Sequence, residues 1–204
     1  MLSKSEVIAP LHALRRDEVV ITSMSIVRAW GQLSRHPLDF AAADSAMGHT
    51  ADFALGVALA QPGRRVVCLT GDGSLLMSLG TLVTIAGSGC NNLLLIVLVN
   101  GGYEITGNQP LPAARMNFAA LAHAAGISQT AHYEYAADYA QALPRYLAGS
   151  DSAVLSVEVE PGDEPPLRRG PAEPATYLKS SLAEATGRLR RALTAPREAR
   201  THSR

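Results

Sequence analysis

Two runs of the 204-residue sequence, RVVCLT (Arg65–Thr70) and NLLLIVLV (Asn92–Val99), carry almost no polar alternation. A strand with one wetted face alternates polar and apolar residues, so a run that stays apolar is buried on both faces. Between them, SLLMSLGTLVTIAGSG (74–89) has helical spacing and closes on glycines, which predicts a helix. Strand, helix and strand in that order predict a parallel pair with a crossover. The alternation extends along the chain. EVVITSM (18–24) reads as a strand, SIVRAWGQL (25–33) as a helix and LDFAAAD (38–44) as a short strand. HTADFALGVALAQ (49–61) places Ala51, Ala54, Leu55, Ala58 and Leu59 on one helical face before the turn PGRR. NFAALAHAAG and YAADYAQALPRYLA read as helices, and SAVLSVEV as a last strand.

The expected fold class is therefore α/β: a three-layer, doubly wound, mostly parallel sheet covered by helices on both faces, spanning residues 1–160. No internal repeat is visible. Beyond it, EPGDEPPLRRGPAEPAT is rich in proline and charge and reads as a linker. YLKSSLAEATGRLRRALTA reads as one amphipathic helix. Residues 161–204 thus form a Pro-rich linker and C-terminal helical tail, expected to pack on the sheet or on a partner.

Composition narrows the function. Hydrophobic residues make up 47% of the chain, which marks it as globular, and 18 basic residues balance 18 acidic ones. That balance leaves no electrostatic footprint for nucleic acid or an anionic membrane. The six histidines never take the HxxxH or HxH spacing of a metal site. Cys68 and Cys90 read as small buried hydrophobes and not as a disulfide. The N-terminal stretch carries charges throughout and does not read as a signal peptide, and the run Leu93–Val99 is far too short to span a bilayer. A cytoplasmic protein is expected.

In an open parallel sheet, ligands bind outside the carboxyl ends of the strands. The segments expected on that rim are ADSAMGH, TGDGS and VNGGYEITGN. Gly71 and Gly73 let the backbone approach a ligand closely, and the helix expected to begin at Ser74 offers unpaired N–H groups to an anion. Asp72 would repel a phosphate. A divalent cation between them removes the conflict: Asp72 supplies a carboxylate oxygen, Asn100 an amide oxygen and the glycine turn a carbonyl, the hard donors that Mg²⁺ prefers. The plainer alternative is that Asp72 caps a helix and the glycines merely turn. No GxxxxGK[ST] is present, and GDGSLL is not GxGxxG, which leaves a P-loop and a nicotinamide site unsupported.

GDG followed, after residues 74–99, by NGG resembles the motif of thiamine diphosphate-dependent enzymes. More narrowly, DSAMGHTADFALGVALAQPGRRVVCLTGDGSLLMSLGTL and LVNGGYEITGNQP resemble the phosphonopyruvate and sulfopyruvate decarboxylases, over about residues 17–160. The resemblance implies Asp72, Asn100 and the Gly102 carbonyl as Mg²⁺ ligands, and Gly71, Gly73 and Ser74 as a cradle for the diphosphate. It implies Met47 as the apolar wedge that bends the cofactor, Ser45, Gly48 and His49 beside it, and Tyr103 lining the site; each of Met47, His49 and Tyr103 also has a purely packing reading. Two departures stand out. Val99 replaces the first residue of the usual Asn-Asn pair, and the first loop, TSMS, lacks the glycine often found there, which weakens Thr22, Ser23 and Ser25 as diphosphate contacts.

The resemblance implies that a second, pyrimidine-binding half supplying an activating glutamate is needed, and that this chain is expected to carry only the diphosphate half. The resemblance implies the β subunit of a two-subunit 2-oxo acid decarboxylase (a lyase), inactive without its α subunit. The expected assembly is a hetero-oligomer, with a homodimer open to the isolated chain, acting on a small 2-oxo acid such as sulfopyruvate or phosphonopyruvate. Arg115 is a candidate contact for a second anion on that substrate. Two other readings stay open: a thiamine diphosphate-binding module without catalysis, and a subunit of another thiamine enzyme such as a synthase.

Overall fold

Strand β4 (Leu93–Val99) is buried at every position, and its side chains divide between two cores. Leu94, Ile96 and Leu98 join one cluster, while Leu93, Leu95, Val97 and Val99 join the other. The period of two that sends alternate residues to opposite faces makes this the middle layer of three. A computed structural model describes residues 1–43, 47–112 and 116–195.

Among the described residues the sheet has six strands, all parallel. They are β1 (Val19–Ser23), β2 (Asp39–Ala43), β3 (Val66–Gly71), β4, β7 (Gln129–Tyr133) and β8 (Ala153–Glu158), and they lie in the order β2-β1-β3-β4-β8-β7. A two-stranded hairpin, β5 (Gly102–Tyr103) with β6 (Gln109–Pro110), projects beyond β4. One face carries α1 (Lys4–Leu14), α2 (Ile26–Leu33) and α7 (Ala136–Ala148), which bury Val7, Ile8, Leu11, Trp30, Tyr139 and Leu143 against the sheet. The other carries α3 (Thr50–Ala60), α4 (Asp72–Met77), α5 (Thr81–Gly87) and α6 (Phe118–Ala124), together with α8 (Leu182–Thr194).

The chain leaves β1 for β2 on one side and returns to β3 on the other. The order reverses there, and a crevice opens between the carboxyl ends of β1 and β3.

Several elements depart from the sequence reading. In the tail, the single helix expected from Tyr177 is a 3₁₀ turn over Thr176–Leu178 followed by α8, which begins only at Leu182 behind the Ser181 cap. Helix α1 was not expected, yet its start carries a capping box: the Ser3 hydroxyl accepts from the Glu6 N–H at 3.3 Å, and Glu6 Oε2 accepts from the Ser3 N–H at 2.7 Å. Strand β7 was missed because it is a half-exposed edge with polar residues. The single helix expected over 74–89 is two. Helix α4 starts at Asp72, directly off β3, and the path breaks over Ser78–Gly80, residues that favour turns over helix interior.

The tail packs on its own chain as far as Ala195. Ala185 and Leu189 of α8 enter the core, and Ala175 and Leu178 pack with Val27 and Ala41. The Tyr177 hydroxyl donates to the Val27 carbonyl at 2.6 Å, so at 2.8 Å it accepts from the Thr22 hydroxyl. Arg28 grips Glu173 with two parallel bonds of 2.8 and 2.9 Å, which hold the Glu173 carboxyl below its ordinary range. No helix among the described residues is long and apolar enough to cross a membrane.

Candidate active site

Gly71 pairs with Leu98, so Asp72 and Asn100 emerge from adjacent strand tips. Asp72 is 1% exposed. Its Oδ1 accepts from the Gly73 N–H at 2.8 Å, and its Oδ2 accepts from the Gly101 N–H at 2.8 Å, across from the next strand. Burial pushes its carboxyl above the ordinary aspartate range, against the pull of N–H donors from Gly101, Gly73 and Asn100. The carboxylate thus lies under the Asn100–Gly102 turn, which Gly101 closes at φ +74°.

Asn100 Oδ1 accepts from the Gly102 N–H at 3.1 Å. In the hairpin, the Gly101 carbonyl takes the Leu111 N–H at 2.9 Å, while Gly102 faces Pro110, which has no N–H to give. The Gly102 carbonyl is therefore unclaimed by its strand partner. Asp72, Asn100 and Gly102 line one cleft, so a carboxylate, a carboxamide and a backbone carbonyl, the kinds of hard oxygen Mg²⁺ takes, are offered from adjacent strand tips. Among the described residues there is no cluster of three or more His, Cys, Asp or Glu that could hold a metal. The candidate centre draws one carboxylate from this chain, Asp72, and the other two candidate donors of the chain, the Asn100 amide and the Gly102 carbonyl, are neutral.

A cleft of about 260 Å³ opens beside these oxygens. Met24, Ser25 and Ile26 line it from the β1 loop, Gly71 to Ser74 from β3, and Asn100 and Gly102 to Thr106 from β4. A side chain at Gly71 would meet nothing within 4 Å, so that backbone is open for a ligand's close approach. Gly73 differs: a Cβ there would lie 2.7 Å from Tyr103 Cε1, because the Tyr103 ring rests on its backbone. Gly48 takes φ +91°, and its N–H donates to the Ser74 hydroxyl at 3.0 Å, fixing the 47–49 loop to α4. Met47 lines the cleft.

Other sequence candidates fall elsewhere. The His49 side chain is 66% exposed, with Nδ1 2.9 Å from Asp52 Oδ2, and does not line the cleft. Thr22 and Ser23 are fully buried, bonded to Tyr177 and Thr70, and do not line the cleft, whereas Ser25 does. Met24 takes φ +48° in the loop that lacks glycine, a left-handed setting that costs about 1 kcal/mol. Ser45 and Arg115 lie outside the described residues. Sequence reasoning missed Lys4 and Glu104, which share the cleft wall. The signal for Glu104 was a carboxylate four residues after Asn100, between two glycine turns.

The family described as thiamine pyrophosphate enzyme, C-terminal TPP binding domain, matches residues 23–157, well over half of the chain. This chain belongs to that family. The sulfopyruvate decarboxylase subunit beta of Methanothermobacter thermautotrophicus is 37% identical over 129 residues, covering 63% of this chain and 69% of that one. The phosphonopyruvate decarboxylase of Streptomyces viridochromogenes is 35% identical over 141 residues, covering 69% of this chain but only 35% of the enzyme. The chain thus spans about a third of the length of that relative. The benzoylformate decarboxylase of Polynucleobacter necessarius superposes with a TM-score of 0.67 at 22% identity, over 78% of this chain and 33% of that one, which establishes a shared fold. The three-layer α/β architecture is that of the thiamine pyrophosphate-binding domain of the family.

Proposed function

We propose that this chain is the diphosphate- and Mg²⁺-binding β subunit of a two-chain thiamine diphosphate-dependent 2-oxo acid decarboxylase. The observation that carries the reading is the Asp72 carboxylate, buried and hydrogen-bonded beneath the Asn100–Gly102 turn of the neighbouring strand. Asp72, Asn100 and the Gly102 carbonyl would hold the metal. The open backbone at Gly71, with Gly73 and Ser74 at the start of α4, would take the diphosphate. Met47 would support the cofactor's bent form from the apolar side of the cleft. Thiamine diphosphate, when bound, supplies the electron sink that loss of CO₂ from a 2-oxo acid requires. The chain's own part is to bind, orient and exclude water, which is where positioning contributes most.

The similarity to a subunit named beta supports an α partner that brings the pyrimidine-binding half. The charge of the cleft supports the same division. Among the described residues lining it, Lys4 is the one cation, and Glu104 neutralises it at 2.5 Å. Groups that select a sulfonate or phosphonate on the substrate are then expected largely from the partner. On this reading residues 1–160 form the cofactor-binding unit and the tail is its internal brace.

The test is turnover. The chain mixed with a pyrimidine-binding partner, thiamine diphosphate and Mg²⁺ should release CO₂ from sulfopyruvate or phosphonopyruvate, while either chain alone should not. Full turnover by this chain alone would contradict the division, and cofactor uptake with no turnover in any pairing would favour a non-catalytic module.

A further inference from the structure

Glu104 opens a single 3₁₀ turn, Glu104–Thr106, between β5 and β6 and is 6% exposed. Its Oε1 accepts from Lys4 Nζ at 2.5 Å and from the Glu164 N–H at 3.2 Å. Its Oε2 accepts from Asn100 Nδ2 at 3.3 Å. Gly162 packs so closely that a Cβ there would overlap the Glu104 carboxylate and crowd Lys4 Nζ. Three segments remote in sequence, the start of α1, the hairpin and the chain after β8, therefore converge on one carboxylate. Its remaining oxygen faces the Asn100 amide.

That geometry constrains which way the amide points. A carboxylate accepts only, so the NH₂ of Asn100 must face Glu104; the Gly102 N–H donates only, so Oδ1 must face Gly102. Both contacts demand the same rotamer, and it leaves the second lone pair of Oδ1 for another partner. An amide held from one side alone would exchange its oxygen and nitrogen at the cost of one hydrogen bond. We propose that Glu104 is a positioning residue: it locks the Asn100 carboxamide with its oxygen toward the cation site, and Lys4 and the backbone at Gly162–Glu164 hold Glu104 in turn. The inference rests on Asn100 being a metal ligand, as proposed above. A plainer role, charge balance for Lys4 alone, makes different demands on substitution.

Glu104→Gln separates the two. The single oxygen of the introduced glutamine is claimed by the two donors on the Oε1 side, Lys4 and the Glu164 N–H, which turns its NH₂ toward Asn100. Asn100 then either keeps its NH₂ against that of the glutamine or flips, losing the Gly102 bond and presenting its own NH₂ to the cation; in both cases its oxygen is no longer held toward the metal. The double exchange Glu104→Gln with Asn100→Asp conserves net charge and restores polarity. The introduced aspartate accepts from the introduced glutamine and from the Gly102 N–H, and it still offers oxygen to the metal. Mg²⁺ would be titrated calorimetrically into the full chain with its pyrimidine-binding partner at saturating thiamine diphosphate. Glu104→Gln should weaken Mg²⁺ binding by ~10–100-fold, the usual scale for an outer partner of a ligand, and the double exchange should recover most of that loss. Wild-type affinity in Glu104→Gln, or no recovery in the double exchange, would overturn the proposal. A readout in the cofactor-free chain keeps it separate from the function proposed above. The Asn100 side-chain NH₂ resonances should shift in Glu104→Gln; if they do while wild type takes up no cofactor, the function fails and the positioning stands. Unshifted resonances overturn the positioning whatever the cofactor does.

Discussion

The second glycine of the GDG stretch has a steric reason to be glycine that is independent of any ligand. Gly73 sits within α4 with ordinary helical φ, so alanine fits its backbone and by propensity alone should stabilise the chain by about 0.5–1 kcal/mol. Space opposes this. The added Cβ would lie 2.7 and 2.9 Å from two carbons of the Tyr103 ring and 3.2 Å from Leu111 Cδ2. Overpacking of this kind costs about 1–3 kcal/mol. Gly73→Ala should therefore cost up to about 2.5 kcal/mol net, or a melting temperature lower by up to ~10 °C at the ~2–4 °C per kcal/mol usual for chains of this size. In a Tyr103→Ala background the two ring contacts vanish, and Leu111 needs to yield only a few tenths of an ångström. The same glycine-to-alanine change should then stabilise, by about 0.5–1 kcal/mol. The assay is equilibrium urea unfolding of the four proteins in the cycle, with coupling of about 1–3 kcal/mol between the two positions. An equal effect of Gly73→Ala in both backgrounds would refute the claim that the Tyr103 ring dictates this glycine.

Gly31→Ala should loosen the tail, because its Cβ would overlap the Tyr177 ring and Ala175; limited proteolysis should cut near residues 161–175 well before it does in wild type. Glu173→Gln tests the Arg28 clasp through pH. The folded Glu173 carboxyl is held low by Arg28, so its stabilisation is present above the unfolded value, about 4.3, and is lost as pH falls through the folded value. The stability gap between wild type and Glu173→Gln should be flat above about pH 5 and close on acidification below about pH 4; a gap that widens there contradicts the clasp.

Much of the sheet was legible in the sequence because β1, β3, β4 and β8 are buried on both faces and carry mostly apolar residues. Strand β7, QTAHY, shows no such bias, since an edge strand keeps one side wet. The approach of Asp72 to Asn100 was legible as well, because residues that follow adjacent parallel strands leave the sheet side by side. Glu104 was not. Its importance depends on Lys4 and Gly162 arriving from opposite ends of the chain, and no local pattern encodes that meeting. Nor did composition decide between the sheet and a partner as the surface on which the tail packs; Tyr177 looks like an ordinary helix residue until Gly31 is seen to leave room for it.

The most direct measurement is anomalous diffraction from crystals of the chain with its partner, grown with thiamine diphosphate and Mn²⁺ in place of Mg²⁺. The expected result is a single metal peak bonded to an Asp72 oxygen, Asn100 Oδ1 and the Gly102 carbonyl, at distances near the roughly 2.0–2.1 Å of a magnesium shell. A metal bound elsewhere, with Asp72 still turned only toward the Gly73 and Gly101 amides, would contradict the site.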